Sequence, residues 1–322
     1  MATYKEIKGT SIEVVSSDPS NPQLGQIWFN TTSQTLKGEE FGSASWVSGG
    51  NMANARAYLA GCGTQTAGLA FGGVGPPIYD KTEEYGGASW TNGGAMGTAR
   101  QRLGGCGIQT AALAFGGVDS PGSTRDITEE YNGSSWTNGG ALSNARAYPG
   151  GAGTQTAGLA YGGANFSTPA VLNATEEYNG SSWTAGGNMG TARFAFASAG
   201  IQTAALASGG ATPSNTNATE EYDGSSWTAG GNLNTTRAQL AGCGLQTAAL
   251  AFGGAPVTGA TEQYNGSSWT TLSATLNLAR ERLAGAGTIT AGLAFGGEGP
   301  PNTAATEEFS AAAPTTVTLS GS

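Results

Sequence analysis

Ala99-Arg100-Gln101-Arg102-Leu103-Gly104-Gly105-Cys106-Gly107-Ile108-Gln109-Thr110-Ala111-Ala112-Leu113-Ala114-Phe115-Gly116-Gly117, a loop, then Thr128-Glu129-Glu130-Tyr131-Asn132-Gly133-Ser134-Ser135-Trp136 reads as four short strands. Residues 99–107 form the first expected strand, and Ile108-Gln109-Thr110 a tight connection. Alternation then places Ala111, Leu113 and Phe115 on one face of a second strand. Gly116-Gly117 ends it, and a variable loop, 118–127, leads to the Thr128-Glu129-Glu130-Tyr131 strand. Asn132-Gly133 signals a hairpin in which both residues accept positive φ, and Ser135-Trp136-Thr137 opens the fourth strand.

The same segment recurs along the chain. Trp46, Trp90, Trp136, Trp183, Trp227 and Trp269 stand 44, 46, 47, 44 and 42 residues apart. Arg56, Arg100, Arg146, Arg193, Arg237 and Arg280 follow them by ten or eleven residues. Glu83, Glu129, Glu176, Glu220, Glu262 and Glu307 hold the first carboxylate of each Thr-Glu-Glu-Tyr strand or its variant. A unit of this length cannot bury its own faces, so it stacks or circularises. The 55 glycines keep fixed phases beside aromatics, which marks a folded repeat rather than low complexity.

Gly-Gly, Tyr and Trp in this order resemble the kelch repeat over residues 36–310, although each unit is shorter than the roughly 50 residues usual there. The resemblance implies an all-β fold: a six-bladed kelch-like β-propeller of four-stranded antiparallel blades, the Arg-bearing strand innermost and the Trp-bearing strand outermost. Thr306-Glu307-Glu308-Phe309 has no following Trp, whereas Trp46 has no complete unit before it. The ring is therefore expected to close by pairing N- and C-terminal strands in one blade. The expected division is a docking segment, 1–35, and a propeller, 36–322.

Cys62, Cys106 and Cys243 share one phase with Ala152, Ala199 and Ala286, a small buried slot. A disulfide needs Cα atoms within about 7 Å, whereas face-packed sheets lie about 10 Å apart, so free thiols are expected. The periodic Arg and Glu are equal in number and suit buried bidentate pairing. The competing reading is an anion-capturing ring of guanidinium groups at a channel mouth.

Enzyme chemistry finds little footing. The chain has no histidine, which removes Ser-His triads, histidine metal sites and the copper chemistry of kelch-type oxidases. Neighbouring carboxylates on one strand face opposite ways and make no acid–base couple. Six-bladed sialidases place Asp and Gly one residue apart in their Asp-box, but Asp223-Gly224 are adjacent here. No enzyme activity, metal or cofactor is expected. With 11% charged residues and a net charge of −9, the chain lacks a nucleic-acid surface. No apolar run suits a signal peptide or membrane insertion.

Symmetry fails in the loops after each Gly-Gly, where recognition residues are expected: Tyr79 and Asp80, then Asp119, Arg125 and Asp126, then Phe166 in the longest loop, 164–174. The N-terminal segment Ser17-Asp18-Pro19-Ser20-Asn21-Pro22-Gln23-Leu24-Gly25-Gln26-Ile27-Trp28-Phe29-Asn30-Thr31-Thr32, with Leu36-Lys37-Gly38, resembles a short β-rich module of tailed-phage virion proteins, including cyanophage proteins with Gly/Ala-rich kelch-like repeats. That resemblance implies a non-enzymatic virion structural protein of the tail, tail fibre or capsid, made in the host cytoplasm. It would dock through Trp28 and Phe29 on other virion proteins and display propeller loops to a host-surface glycan or protein. Self-association as a homo-oligomer stays open. A host-encoded protein-interaction propeller and, further off, a glycan-active enzyme are the alternatives.

Overall fold

The computed structural model describes residues 12–20, 26–41, 43–168 and 170–319. Residues 1–11 and 21–25 of the expected docking segment, Gly25 of its motif among them, lie outside the described residues, as does Pro169 in the 164–174 loop. The chain divides into two compact units, one of residues 46–310 and one of residues 1–45 with 311–322.

The larger unit is all-β and propeller-like, built from repeated four-stranded antiparallel sheets. Sheet 1 contains Ala60–Gly63, Gly68–Phe71, Thr82–Tyr85 and Trp90–Asn92; sheet 2 contains Gly104–Ile108, Ala111–Phe115, Thr128–Tyr131 and Trp136–Asn138. Sheets 3, 4 and 5 begin at Gly150–Gly153, Ala197–Ile201 and Ala241–Leu245 and end at Trp183–Ala185, Trp227–Gly230 and Trp269–Thr271. Sheet 6 joins Ala284–Gly287, Ala291–Phe295 and Thr306–Ser310 to Ser45–Ser48. The Trp46 strand thus lies beside the last Thr-Glu-Glu strand, as the unmatched ends of the repeat predict. In sheet 2, Leu113 stands between Cys106 and Glu130, and Tyr131 faces Trp136.

Two expectations in the repeat need correction. The first strand starts at Gly104, not Ala99. Residues before it bury Arg100 and then turn at Arg102 through φ 57°, which breaks extended pairing. At Asn132-Gly133 only the glycine has positive φ. Asn132 instead caps the turn, its Oδ1 accepting from the backbone N–H groups of Ser134 and Ser135 at 3.0 and 2.9 Å.

The core lies between sheets. Leu69 and Phe71 of sheet 1 pack with Ala112, Ala114 and Tyr131 of sheet 2, whereas Leu113 and Phe115, on the opposite face, pack with Ala160 and Tyr178 of sheet 3. A second strand buried on both faces explains its unbroken apolar run. Glycines of the first strands admit the preceding sheet's rings: a Cβ on Gly105 would sit 2.4 Å from Phe71 Cζ.

Polar interlocks repeat at the junctions. Each of the six repeat indoles donates its Nε1–H to a threonine of an adjoining sheet, as Trp136 does to Thr82 and Trp46 to Thr261, both at 2.9 Å. The second carboxylate of the Thr-Glu-Glu strand accepts from the next sheet's tyrosine: Glu84 from Tyr131 at 2.6 Å, Glu130 from Tyr178 at 2.5 Å, Glu177 from Tyr222 at 2.6 Å, Glu221 from Tyr264, and Glu308 from Tyr85 at 2.5 Å. Gln65, Gln109, Gln155, Gln202 and Gln246 each donate to two carbonyls of the preceding sheet.

The junction of sheets 5 and 6 is built differently. Gln263 stands for the carboxylate, Phe309 for the tyrosine and Ile289 for the glutamine. Leu272 replaces the glycine that elsewhere leaves room for the tyrosine hydroxyl, as Gly93 does for Tyr131 Oη.

Cys62, Cys106 and Cys243 are buried free thiols. Burial pushes Cys106 and Cys243 up to about 12 and Cys62 higher still. A thiol reagent at pH 8 is expected to leave all three unlabelled in the native protein and to label all three in denaturant; fast native labelling would contradict this burial.

In the smaller unit, strands Glu13–Val15, Ile27–Asn30, Thr35–Phe41 and Pro314–Thr318 form one sheet in that order. The unit therefore extends beyond residue 35 and takes in the chain's other end. Trp28 is fully buried and donates to Asp18 Oδ1 at 3.0 Å, where Asn30 also donates at 2.7 Å. Lys37 binds the other oxygen at 2.6 Å. Lys37, then Asn30 and Trp28, hold the Asp18 carboxyl down to about 2.

Candidate functional site

The periodic arginines are fully buried and do not form the surface ring that was the competing expectation. Each pairs within its own sheet: Arg56 with Glu83 at 3.1 Å, Arg100 with Glu129 at 2.9 Å, Arg146 with Glu176 at 2.5 Å, Arg193 with Glu220 at 3.1 Å, Arg237 with Glu262 at 3.0 Å, and Arg280 with Glu307. The guanidinium groups also reach backbone carbonyls, as Arg100 does to Gly116 at 2.6 Å and Ile127 at 2.9 Å. The second carboxylate oxygen accepts a backbone N–H from the incoming segment, Gly97 to Glu129 at 2.6 Å being one case. These groups anchor the chain as it enters each sheet.

Two residues past each arginine, the anchored chain makes a left-handed turn. Tyr58, Arg102, Tyr148, Ala195, Gln239 and Arg282 have φ values of 57°, 57°, 53°, 57°, 55° and 61°. Left-handed backbone is costly for bulky residues and concentrates at functional sites. Here a set of hydrogen bonds holds it. Arg102 N donates to Tyr58 O at 2.8 Å, Tyr148 to Arg102 at 2.7 Å, Ala195 to Tyr148 at 3.4 Å, Gln239 to Ala195 at 2.7 Å, Arg282 to Gln239 at 2.8 Å, and Tyr58 to Arg282 at 2.9 Å. The six bonds return to their starting residue.

This cycle, with Leu59, Leu103, Pro149, Phe196, Leu240 and Leu283 beside it, lines a cavity of about 110 Å³. The backbone repeats around it, but the side chains differ. The Arg102 Cζ lies over the rings of Tyr58, Tyr148 and Phe166, 4.8, 5.3 and 5.7 Å from their centroids. Its Nε is buried without a partner, and among the described residues its guanidinium forms no ion pair or hydrogen bond. Arg282, 4.9 Å from the Tyr58 centroid, is already engaged: Glu281 at 3.0 Å, Glu298, and Gln239 Oε1 at 2.7 Å. Burial pushes the Tyr148 phenol well above its ordinary pKa, so it stays a neutral donor.

Of the expected loop residues, only Phe166 approaches the cluster around Arg102, its ring 6.2 Å from Tyr148, although it is not part of the cavity lining. Tyr79 bonds its own loop through Gly75 O at 2.5 Å. Asp119 is buried and held by Arg125, whose Nε lies at 2.6 Å, and by the Ser123 N–H at 3.0 Å. These contacts fold Tyr79 and Asp119 back onto their own loops. Asp80 and Asp126 are exposed but contribute nothing to the cavity lining. Trp28, expected to dock, is spent inside its own unit, and Phe29 is half-buried.

Sequence reasoning passed over Tyr58, Arg102, Tyr148, Gln239 and Arg282. The signal lay two residues after each periodic arginine, where the chain reads Tyr, Arg, Tyr, Ala, Gln, Arg within otherwise similar segments. Neither a protein-family model nor a curated protein sequence matches the chain.

Proposed function

We propose that residues 46–310 form a six-bladed kelch-like propeller closed through the Trp46 strand. On this reading the chain is a non-enzymatic structural protein of a phage virion, of the tail, tail fibre or capsid. The smaller unit docks on the particle, and the cavity with its flanking loops recognises the host surface. The hydrogen-bond cycle supports closure, as does the packing of Ala284–Gly287 against Ala60–Gly63. The observation that carries recognition is the asymmetric cluster of Tyr58, Arg102, Tyr148 and Phe166 on a backbone otherwise repeated sheet by sheet. The particle assignment rests on the resemblance carried by residues 17–38.

Mass spectrometry of purified particles tests that assignment, and absence of the chain from virions overturns it. Shortening loop 164–174, which carries Phe166, is expected to reduce host adsorption several-fold. Unchanged adsorption would remove the recognition role. A host-encoded interaction propeller would use the same cavity, and the particle measurement separates the two.

A further inference from the structure

We propose that the cavity takes one carboxylate-bearing sugar, a uronic acid residue, with its carboxylate on Arg102 and its ring within the lining formed by Tyr58, Tyr148 and their neighbouring leucines, Phe166 holding Arg102 from outside that lining. This deepens the reading of the cavity as a recognition surface and rests on it.

Arg102 carries the argument. A guanidinium lying over aromatic faces still has donors for a planar acceptor, and a carboxylate matches that fork. Arg102 has three rings around it, and among the described residues no carboxylate pairs with it. The neighbouring cation, Arg282, is neutralised by Glu281 and Glu298. An incoming anion therefore meets one unneutralised guanidinium.

The remaining lining selects the body of the ligand. The lining leucines Leu59, Leu103, Leu240 and Leu283 offer apolar surface to the C–H groups of a pyranose, while Arg102 covers faces of Tyr58 and Tyr148. Gln239, whose Oε1 accepts from Arg282, retains its amide N–H groups for a hydroxyl. The cavity of about 110 Å³ admits a carboxylate and part of one ring, not an extended chain.

Calorimetric titration of the full chain with glucuronate, glucose and acetate tests the assignment. Glucuronate is expected to bind at least about tenfold more tightly than either of the others, since a charge-assisted pair is worth that much or more. Arg102→Gln is expected to weaken glucuronate at least about tenfold, and Phe166→Ala about threefold or more. Lys81→Gln, which removes an exposed cation outside the cavity lining, should leave the affinity unchanged.

Equal affinity for glucose would remove the carboxylate pairing, and equal affinity for acetate would remove the sugar. No glucuronate binding at about 50 mM overturns the proposal outright. Should Arg102→Gln lose its native circular dichroism, the Phe166→Ala arm decides, because Phe166 is exposed and its loss leaves the sheets intact. Binding by a chain absent from particles would leave this proposal standing and end the virion reading. A particle-borne chain that binds no glucuronate would do the reverse.

Discussion

Replacing Glu262 with alanine is expected to lower the unfolding free energy by about 3–5 kcal/mol, the usual cost of stranding one member of a buried ion pair. Glu262 and Arg237 are both fully buried, 3.0 Å apart. Without the carboxylate, Arg237 retains the carbonyls of Gly253 and Ala260 at 2.8 Å but has no counter-charge. The Asn234 N–H, bonded to Glu262 at 2.6 Å, loses its acceptor as well. The loss is a large share of the roughly 5–15 kcal/mol by which folded domains are stable. Changing both partners, Arg237→Met with Glu262→Leu, should cost less than Glu262→Ala, because no charge is then left alone. Urea denaturation followed by tryptophan fluorescence measures both variants. A shift below about 1 kcal/mol for Glu262→Ala, the range of exposed pairs, would show that the pair is not anchoring the sheet.

The second large effect is alkaline unfolding. Tyr85, Tyr131, Tyr178, Tyr222 and Tyr264 are pushed from 10 up to about 12, first by burial and then by the carboxylates they donate to. In the unfolded chain these phenols titrate near 10. The unfolded state therefore releases its protons first as pH rises. The contribution to stability is fully present below about pH 10 and drains away between 10 and 12. After discounting for solvent screening at these part-buried hydroxyls, each tyrosine contributes on the order of 1 kcal/mol across this interval. Five such groups together are a sizeable fraction of the stability of a typical domain. Circular dichroism and tyrosinate absorbance should change together in one steep step within this interval. Because the chain has ten tyrosines, the deciding readout is the loss of one junction's share of the alkaline step when Tyr131 is replaced by phenylalanine together with Glu84→Gln; an unchanged step in that variant would refute the coupling between these hydroxyls and the sheet junctions.

Much of the scaffold was legible because it repeats. Tryptophan, arginine and glutamate recur wherever a sheet must meet its neighbour or anchor its chain, and packing demands the same residue each time. The cavity was less legible for the opposite reason. Left-handed backbone can be read from sequence where glycine stands, but here tyrosine, arginine and glutamine adopt it, held by hydrogen bonds between segments more than 40 residues apart. Nor could the sequence distinguish a loop residue facing solvent from one folded back on its own loop, as Asp119 is onto Arg125. The joint exchange of Gln263 for glutamate and Phe309 for tyrosine was visible in the repeat, but its meaning depends on knowing that the two positions face each other.

The odd junction between sheets 5 and 6 bears on how a chain of near-copies counts. Where every edge offers glutamate, tyrosine and glutamine, one sheet can be mistaken for another, by skipping a unit or by borrowing one from a second molecule. Phe309 has no hydroxyl for a carboxylate, and Leu272 leaves no space where a tyrosine hydroxyl would otherwise fit. Sheet 6 therefore seats poorly on any of sheets 1 to 4, whose carboxylates Glu84, Glu130, Glu177 and Glu221 would be left without their donor. A single mismatched joint works like the key on a connector: it tells identical parts where the sequence of parts must end.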